Sequence, residues 1–228
     1  MQNDKRTGRF AGLLYLIVVL TGIFTLAYIP SKLIVRGDAA ATFNNIGANE
    51  TLFRLGIVAG IICYIAFLLL PIVLYKLLSP VNKTMAALMV ILSVVSVPVS
   101  LVNLLNKFAV LTLIGNAEYL RTFDAAQLQS QAMLYLNFYS NGNNLVSVFW
   151  GLWLFPLGYL VYRSGFLPKV LGVLLMLGCI GYVSDFVLGF LIPSYNQMAI
   201  AQWMTKPATL GEIGTCLWLL VFSVKVPK

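Results

Sequence analysis

Four charged residues of this sequence stand within, or at the ends of, long apolar segments. They are Arg54, Lys107, Asp185 and Glu212. A charge at membrane depth costs at least about 2.5 kcal/mol, so such side chains usually face the interior of a helical bundle and pair with one another. At about 1.5 Å of rise per residue, all four reach the outer third of a bilayer if the N-terminus is cytoplasmic. We therefore expect two acids and two bases to meet at one site, where the acids bind or protonate a ligand.

Polar residues on the third apolar segment support such a site. Ser93, Ser96, Ser100, Asn103 and Lys107 follow a spacing of 3, 4, 3 and 4 residues. They therefore share one face of a helix. The stripe either joins helices through hydrogen bonds of about 0.6 kcal/mol each or forms the wall of a polar cavity. The uncharged residues that we expect to line the pocket are Ser100, Asn103, Asn144 and Ser147.

Each charged residue also has a structural interpretation. Lys107 and Arg54 can extend to the outer interface, and the two acids can form ion pairs that only fix how the helices pack. The leading hypothesis is a protein that binds or transports a small molecule or a lipid. One alternative is a membrane-embedded enzyme that acts on a lipid or amphiphile with Glu212 as general base. Another is a structural or regulatory membrane subunit.

Residues that the sequence lacks exclude several classes of chemistry. It contains no histidine, which excludes histidine-ligated haem, histidine-containing zinc sites, and Ser-His or Cys-His catalysis. Its three cysteines, Cys63, Cys179 and Cys216, lie in apolar segments, where cysteine is commonly a small packing residue. We expect no catalytic motif, no metal and no cofactor. The tryptophans are expected to be interface anchors or packing residues.

The composition indicates a membrane protein. Of the residues, 60% are apolar and 10% are charged, against about 45 to 50% and about 25% in soluble domains. We predict an all-α bundle that forms a single membrane domain over residues 1–228. Runs long enough to cross about 30 Å of hydrocarbon number about six. They are 10–30, 53–78, 85–114, 145–162, 167–192 and 208–224.

Basic residues are denser in the segments that face the cytoplasm if the N-terminus lies there, so we predict that both termini are cytoplasmic. The net charge of +8 is then a sign of topology, and we expect membrane lipids as partners and no nucleic acid. In the outer loops, Asp38 caps a predicted helix over 39–49. Asp124 and Gln127 form a predicted capping box for an interfacial helix over 125–139. The cluster at 141–144 is expected to break that helix before the fourth span.

Several short motifs in order resemble one family. They are Arg9-Phe10-Ala11-Gly12-Leu13-Leu14-Tyr15, Gly37-Asp38-Ala39-Ala40-Ala41-Thr42, Leu52-Phe53-Arg54-Leu55-Gly56 and Tyr162-Arg163-Ser164-Gly165-Phe166-Leu167-Pro168. The sequence is similar over nearly its whole length to a bacterial integral membrane family catalogued only as domain-of-unknown-function family 4386. The resemblance implies a multi-pass protein of the bacterial inner membrane with six helices and no assigned activity. It supplies no catalytic residues.

Overall fold

The computed structural model describes residues 2–115 and 117–223, and all regular secondary structure in these ranges is helical. The α-helices are α1 (Gln2–Ile23), α2 (Ile29–Leu33), α3 (Ala39–Ala48), α4 (Glu50–Leu78), α5 (Lys83–Asn103), α6 (Leu105–Ile114), α7 (Ala125–Leu152), α8 (Leu154–Ser164), α9 (Lys169–Leu191), α10 (Ala201–Met204) and α11 (Lys206–Val221). A π-helix, Phe24–Tyr28, joins α1 to α2, and 3-10 turns lie at Glu118–Thr122 and Tyr195–Gln197. The prediction of an all-α fold is confirmed.

Five helical runs within the described residues are long and apolar enough to cross a membrane. They are Asp4–Leu33, Glu50–Leu78, Lys83–Ile114, Ala125–Ser164 and Lys169–Leu191. The sixth predicted span, 208–224, corresponds to α11, which has 16 residues, or about 24 Å at 1.5 Å per residue. Residue 224 lies outside the described part of the chain. The five apolar runs indicate a multi-pass membrane protein.

The outer connections agree with the predicted caps. The Asp38 side chain accepts a hydrogen bond from the backbone N–H of Ala41 at the start of α3. At the start of α7, Asp124 and Gln127 form the predicted capping box, with reciprocal hydrogen bonds of 2.8 and 3.0 Å. These local signals were sufficient because each cap involves residues only three positions apart.

The predicted helix break at residues 141–144 is wrong. Helix α7 continues through this cluster from Ala125 to Leu152, so the predicted interfacial helix is the first part of a longer one. The Asn103 side chain donates hydrogen bonds to the Tyr139 carbonyl and to Asn143 Oδ1, and these contacts outweigh the weak helix propensity of asparagine and glycine. The interruption comes instead at Trp153, where Pro156 supplies no N–H to the Leu152 carbonyl.

Close helix packing joins α1, α4, α8, α9 and α11. Helix α1 lies against α4 and α11, and α9 lies against α8 and α11. A Cβ added to Gly178 would lie 2.6 Å from Cα of Ala208, so the absence of a side chain there lets α9 and α11 approach closely. The buried core around this contact includes Tyr15 and Trp153.

The two ends of the described chain meet. The Ser223 hydroxyl donates a hydrogen bond of 2.7 Å to the Lys5 carbonyl. Helices α1 and α11 are therefore antiparallel, and the first run reaches the opposite end of the bundle at Leu33. The two ends of the described chain therefore lie at the same end of the bundle. Their cytoplasmic location is a prediction from the distribution of basic residues.

Candidate functional site

The four charged residues do not form one cluster. Among the described residues, neither Glu212 nor Asp185 forms an ion pair with Lys107 or Arg54. Arg54 is exposed, and its guanidinium lies 2.6 Å from the Glu50 carboxylate. The two are separated by one helical turn and sit on neighbouring surface positions of α4. Arg54 therefore does not meet the two acids at one site, contrary to the expectation from the sequence.

Glu212 lies between α11 and α1. The Tyr15 hydroxyl donates a hydrogen bond of 3.1 Å to Glu212 Oε1. Beside this pair is a cavity of about 120 Å³, which we call the Glu212 cavity. Its lining residues come from α1, the π-helix, α4, α7, α9, α11 and the α7–α8 junction, and they are Val18, Gly22, Leu26, Cys63, Tyr64, Phe67, Trp150, Trp153, Tyr182 and Glu212.

The Glu212 cavity combines one acid with aromatic walls. Glu212 is the only charged side chain among its lining residues, and five of the others are aromatic: Tyr64, Phe67, Trp150, Trp153 and Tyr182. The indole of Trp153 is held edge-on to Phe67, with ring centroids 5.0 Å apart. A carboxylate surrounded by aromatic rings has the features that attract a cation.

Two polar atoms on the lining residues have no hydrogen-bond partner among the described residues. They are Trp153 Nε1 and the Tyr64 hydroxyl oxygen, and both are buried. Buried donors without a partner cost about 1 to 3 kcal/mol each. Both atoms are enclosed by the surrounding side chains, so neither faces the open space of the cavity.

Sequence reasoning missed the part played by Tyr15, Tyr64 and Trp153. Trp153 was expected only as an anchor or packing residue, yet its side chain is 0% exposed and it lines the Glu212 cavity. The sequence does carry a signal for Trp153: it stands three residues before Pro156, and a proline at that distance indicates that a helix is interrupted near it. Tyr15 carried no comparable signal, since its partner is 197 positions away.

Asp185 has a separate partner. The Tyr195 hydroxyl donates a hydrogen bond of 2.8 Å to Asp185 Oδ1, and Tyr195 is buried. Asp185 is not among the residues that line the Glu212 cavity. This acid ties the end of α9 to the turn that follows it, and the structure does not bring it together with Glu212 around a cavity.

Lys107 lies on α6 at the opposite end of the bundle from the chain termini. Its side chain is 3% exposed, its ammonium donates to Thr25 Oγ1 over 3.4 Å, and the same nitrogen sits 4.2 Å from the centre of the Tyr139 ring. It faces a second cavity of about 330 Å³, which we call the Lys107 cavity. This cavity is lined by Leu26, Ile29, Pro30, Leu33, Ile34, Arg36, Phe53, Lys107, Met133, Leu136, Asn137, Tyr139, Ser140 and Asn143.

The predicted uncharged lining residues are absent from both cavities. The Ser100 hydroxyl donates to the Ser96 carbonyl of its own helix. Asn103 is occupied by its contacts with α7. Asn144 is exposed, and Ser147 donates to the Asn144 carbonyl over 2.7 Å. The serine and asparagine stripe is buried, and its members bond within and between helices.

Metal binding has no support in the described part of the chain. No group of three or more Cys, Asp or Glu side chains there is arranged to hold a metal ion. The three cysteines are buried and unbridged. Their positions agree with the packing role expected of them.

Comparison with known proteins gives a family and no activity. An uncharacterized protein of Archaeoglobus fulgidus is 35% identical over 81 residues, which cover 36% of this chain and 46% of that protein. The match therefore spans less than half of the relative's length. No solved structure matches the chain. The family described as Domain of unknown function (DUF4386) matches residues 10–222, and the chain therefore belongs to this family.

Proposed function

We propose that this protein binds a small organic cation, an alkylammonium group, in the Glu212 cavity. The observation that carries the proposal is that, among the described lining residues, Glu212 is the only charged group on a cavity whose other walls are largely aromatic. The proposal includes a location in the bacterial inner membrane, which follows from the resemblance of the sequence. Among the earlier hypotheses, it corresponds to small-molecule or lipid binding.

The charge and the walls of the cavity favour a cation over an anion or a neutral solute. The Glu212 carboxylate provides a counter-ion for an ammonium group. Rings such as those of Trp150 and Tyr182 line the same space, and a desolvated cation over an aromatic face gains about 2 kcal/mol or more. An anion in this cavity would face a carboxylate with no base among the described lining residues.

The size of the cavity limits the ligand. A cavity of roughly 150 Å³ in a protein core accommodates a benzene molecule, so about 120 Å³ holds about five non-hydrogen atoms. Tetramethylammonium has that many. A larger molecule would place only its ammonium group here.

Mass spectrometry of the molecules that copurify with the full chain in mild detergent tests the proposal. Wild type should retain an amine-containing species at about one per chain, and Glu212→Gln should lose it. Asp185→Asn is the matched control, because it also removes a partly buried acid that accepts a hydrogen bond from a tyrosine but lies outside the cavity. Retention of the same species by Glu212→Gln, or enrichment of acidic species alone, would count against the proposal. If nothing is enriched and Glu212→Gln is merely less stable, Glu212 is structural.

A further inference from the structure

The Lys107 cavity contains two cations and no acid among its described lining residues. Lys107 is buried, and Arg36 is exposed at the mouth. Among the described residues, the Lys107 ammonium donates one long hydrogen bond to Thr25 and lies over the face of the Tyr139 ring. An ammonium group carries three N–H donors and a positive charge. Neither of these contacts supplies a negative charge. A buried charge is normally paired, and here the position of the partner is an open cavity.

Polar groups near Lys107 suit an oxyanion. Asn137, Ser140 and Asn143 line the cavity from one face of α7. Amide and hydroxyl groups donate hydrogen bonds, and Lys and Arg recognise phosphate through charge-assisted ones. The polar part of the cavity can therefore satisfy several oxygens of one anionic group.

The remaining walls are apolar. Ile29 and Leu33 lie at the end of the first helical run and Ile34 follows it. The apolar surface is completed by Phe53, Met133 and Leu136. A free inorganic anion would leave this surface uncovered. A molecule with an anionic head and a hydrocarbon tail would cover it. Anionic phospholipids have this form, and basic pockets between membrane helices bind their head groups.

We infer that the Lys107 cavity binds the phosphate head group of an anionic phospholipid, with part of an acyl chain on its apolar wall. The site is separate from the Glu212 cavity and takes a ligand of the opposite charge. Lys107 binds the phosphate at the buried end of the cavity, and Arg36 contacts the head group from the exposed end.

The test is native mass spectrometry of the full chain with phosphatidylglycerol, and with phosphatidylcholine of the same acyl chains. Wild type should bind about one phosphatidylglycerol per chain in preference to phosphatidylcholine. Lys107→Met and Arg36→Gln should each weaken this binding at least about tenfold. Arg54→Gln is the matched control, since it also removes an exposed arginine. Arg54 forms an ion pair with Glu50 and lies outside the cavity. Glu212→Gln should leave phosphatidylglycerol binding unchanged.

Several results would overturn the inference. Equal binding of the two lipids would show that charge does not select the ligand. Inorganic phosphate that binds as tightly as phosphatidylglycerol would assign the cavity to a free anion. Lys107→Met should be no less stable than wild type without lipid, because it removes an uncompensated buried charge. A large loss of stability would instead make Lys107 structural, and Arg36→Gln, at an exposed position, would still report on lipid binding.

Discussion

The Tyr15 hydroxyl lies 3.1 Å from Glu212 Oε1 and donates a hydrogen bond to it, although the two residues are 197 positions apart in the chain. This bond joins α1 to α11 at the edge of the Glu212 cavity. It fixes the orientation of the carboxylate, so that one oxygen is engaged by the protein and, under the proposed function, the other is available to the ligand.

We predict a measurable coupling between these two residues. Tyr15→Phe and Glu212→Leu each remove this hydrogen bond, so the double variant should lose less free energy of unfolding than the sum of the two single losses. The coupling should be about 1 to 2 kcal/mol, as for a hydrogen bond to a carboxyl group. Reversible unfolding in mixed detergent measures it. Tyr195→Phe with Glu212→Leu is the control pair, since Tyr195 donates its hydrogen bond to Asp185, and the losses of these two variants should be additive.

We predict that Gly142→Ala destabilises the protein. A Cβ at this position would overlap the side-chain amide of Asn103, so either the amide moves from its contacts with α7 or the helices separate. Overpacking of this kind costs about 1 to 3 kcal/mol. Thermal unfolding in detergent measures the loss.

Gly47→Ala is the matched control for that variant. It lies inside α3, and an added Cβ would meet Ile114 at 3.7 Å, an ordinary contact. It should be neutral or stabilise by up to about 1 kcal/mol, because alanine favours a helix over glycine. A Gly142→Ala variant as stable as wild type would mean that Asn103 does not hold α5 to α7 as described.

We predict that both termini lie on the cytoplasmic side. The Lys5–Ser223 contact places them together, and the basic residues select the side. A fluorescent protein that folds only in the cytoplasm should fluoresce when it is fused to either terminus. Alkaline phosphatase, which is active only outside the cytoplasm, should be active when it is inserted at Gly37. Opposite signals from the two termini would contradict the contact. Signals from both termini outside would contradict only the assignment of the side.

The sequence predicted features that depend on near neighbours. The Asp38 cap and the Asp124–Gln127 capping box need residues three positions apart, and apolar length alone predicts the long helices. The expectation that Glu212 and Lys107 face the interior of the bundle follows from the cost of a membrane charge. Both do line cavities, but different ones.

The arrangement of the charges could not be predicted for a geometric reason. Counting residues along a helix gives the depth of a side chain in the membrane, and it gives neither the direction of the side chain nor the neighbouring helix. Glu212 and Lys107 were given similar depths, but α11 packs on α1 and α9 whereas α6 packs on α7. The prediction of a helix break at 141–144 is wrong for a related reason, because Asn103 from another helix stabilises that segment.

The most direct test of cation binding compares choline with its neutral isostere, 3,3-dimethylbutan-1-ol, by isothermal titration of the purified protein. The two have nearly the same shape and differ in charge. Choline should bind wild type at least about tenfold more tightly, since a desolvated cation–π contact alone contributes about 2 kcal/mol. This preference should fall in Glu212→Gln, which loses the counter-ion but keeps the aromatic walls, and should persist undiminished in Asp185→Asn. Equal binding of the two compounds by wild type, or an undiminished preference in Glu212→Gln, would contradict cation binding at Glu212.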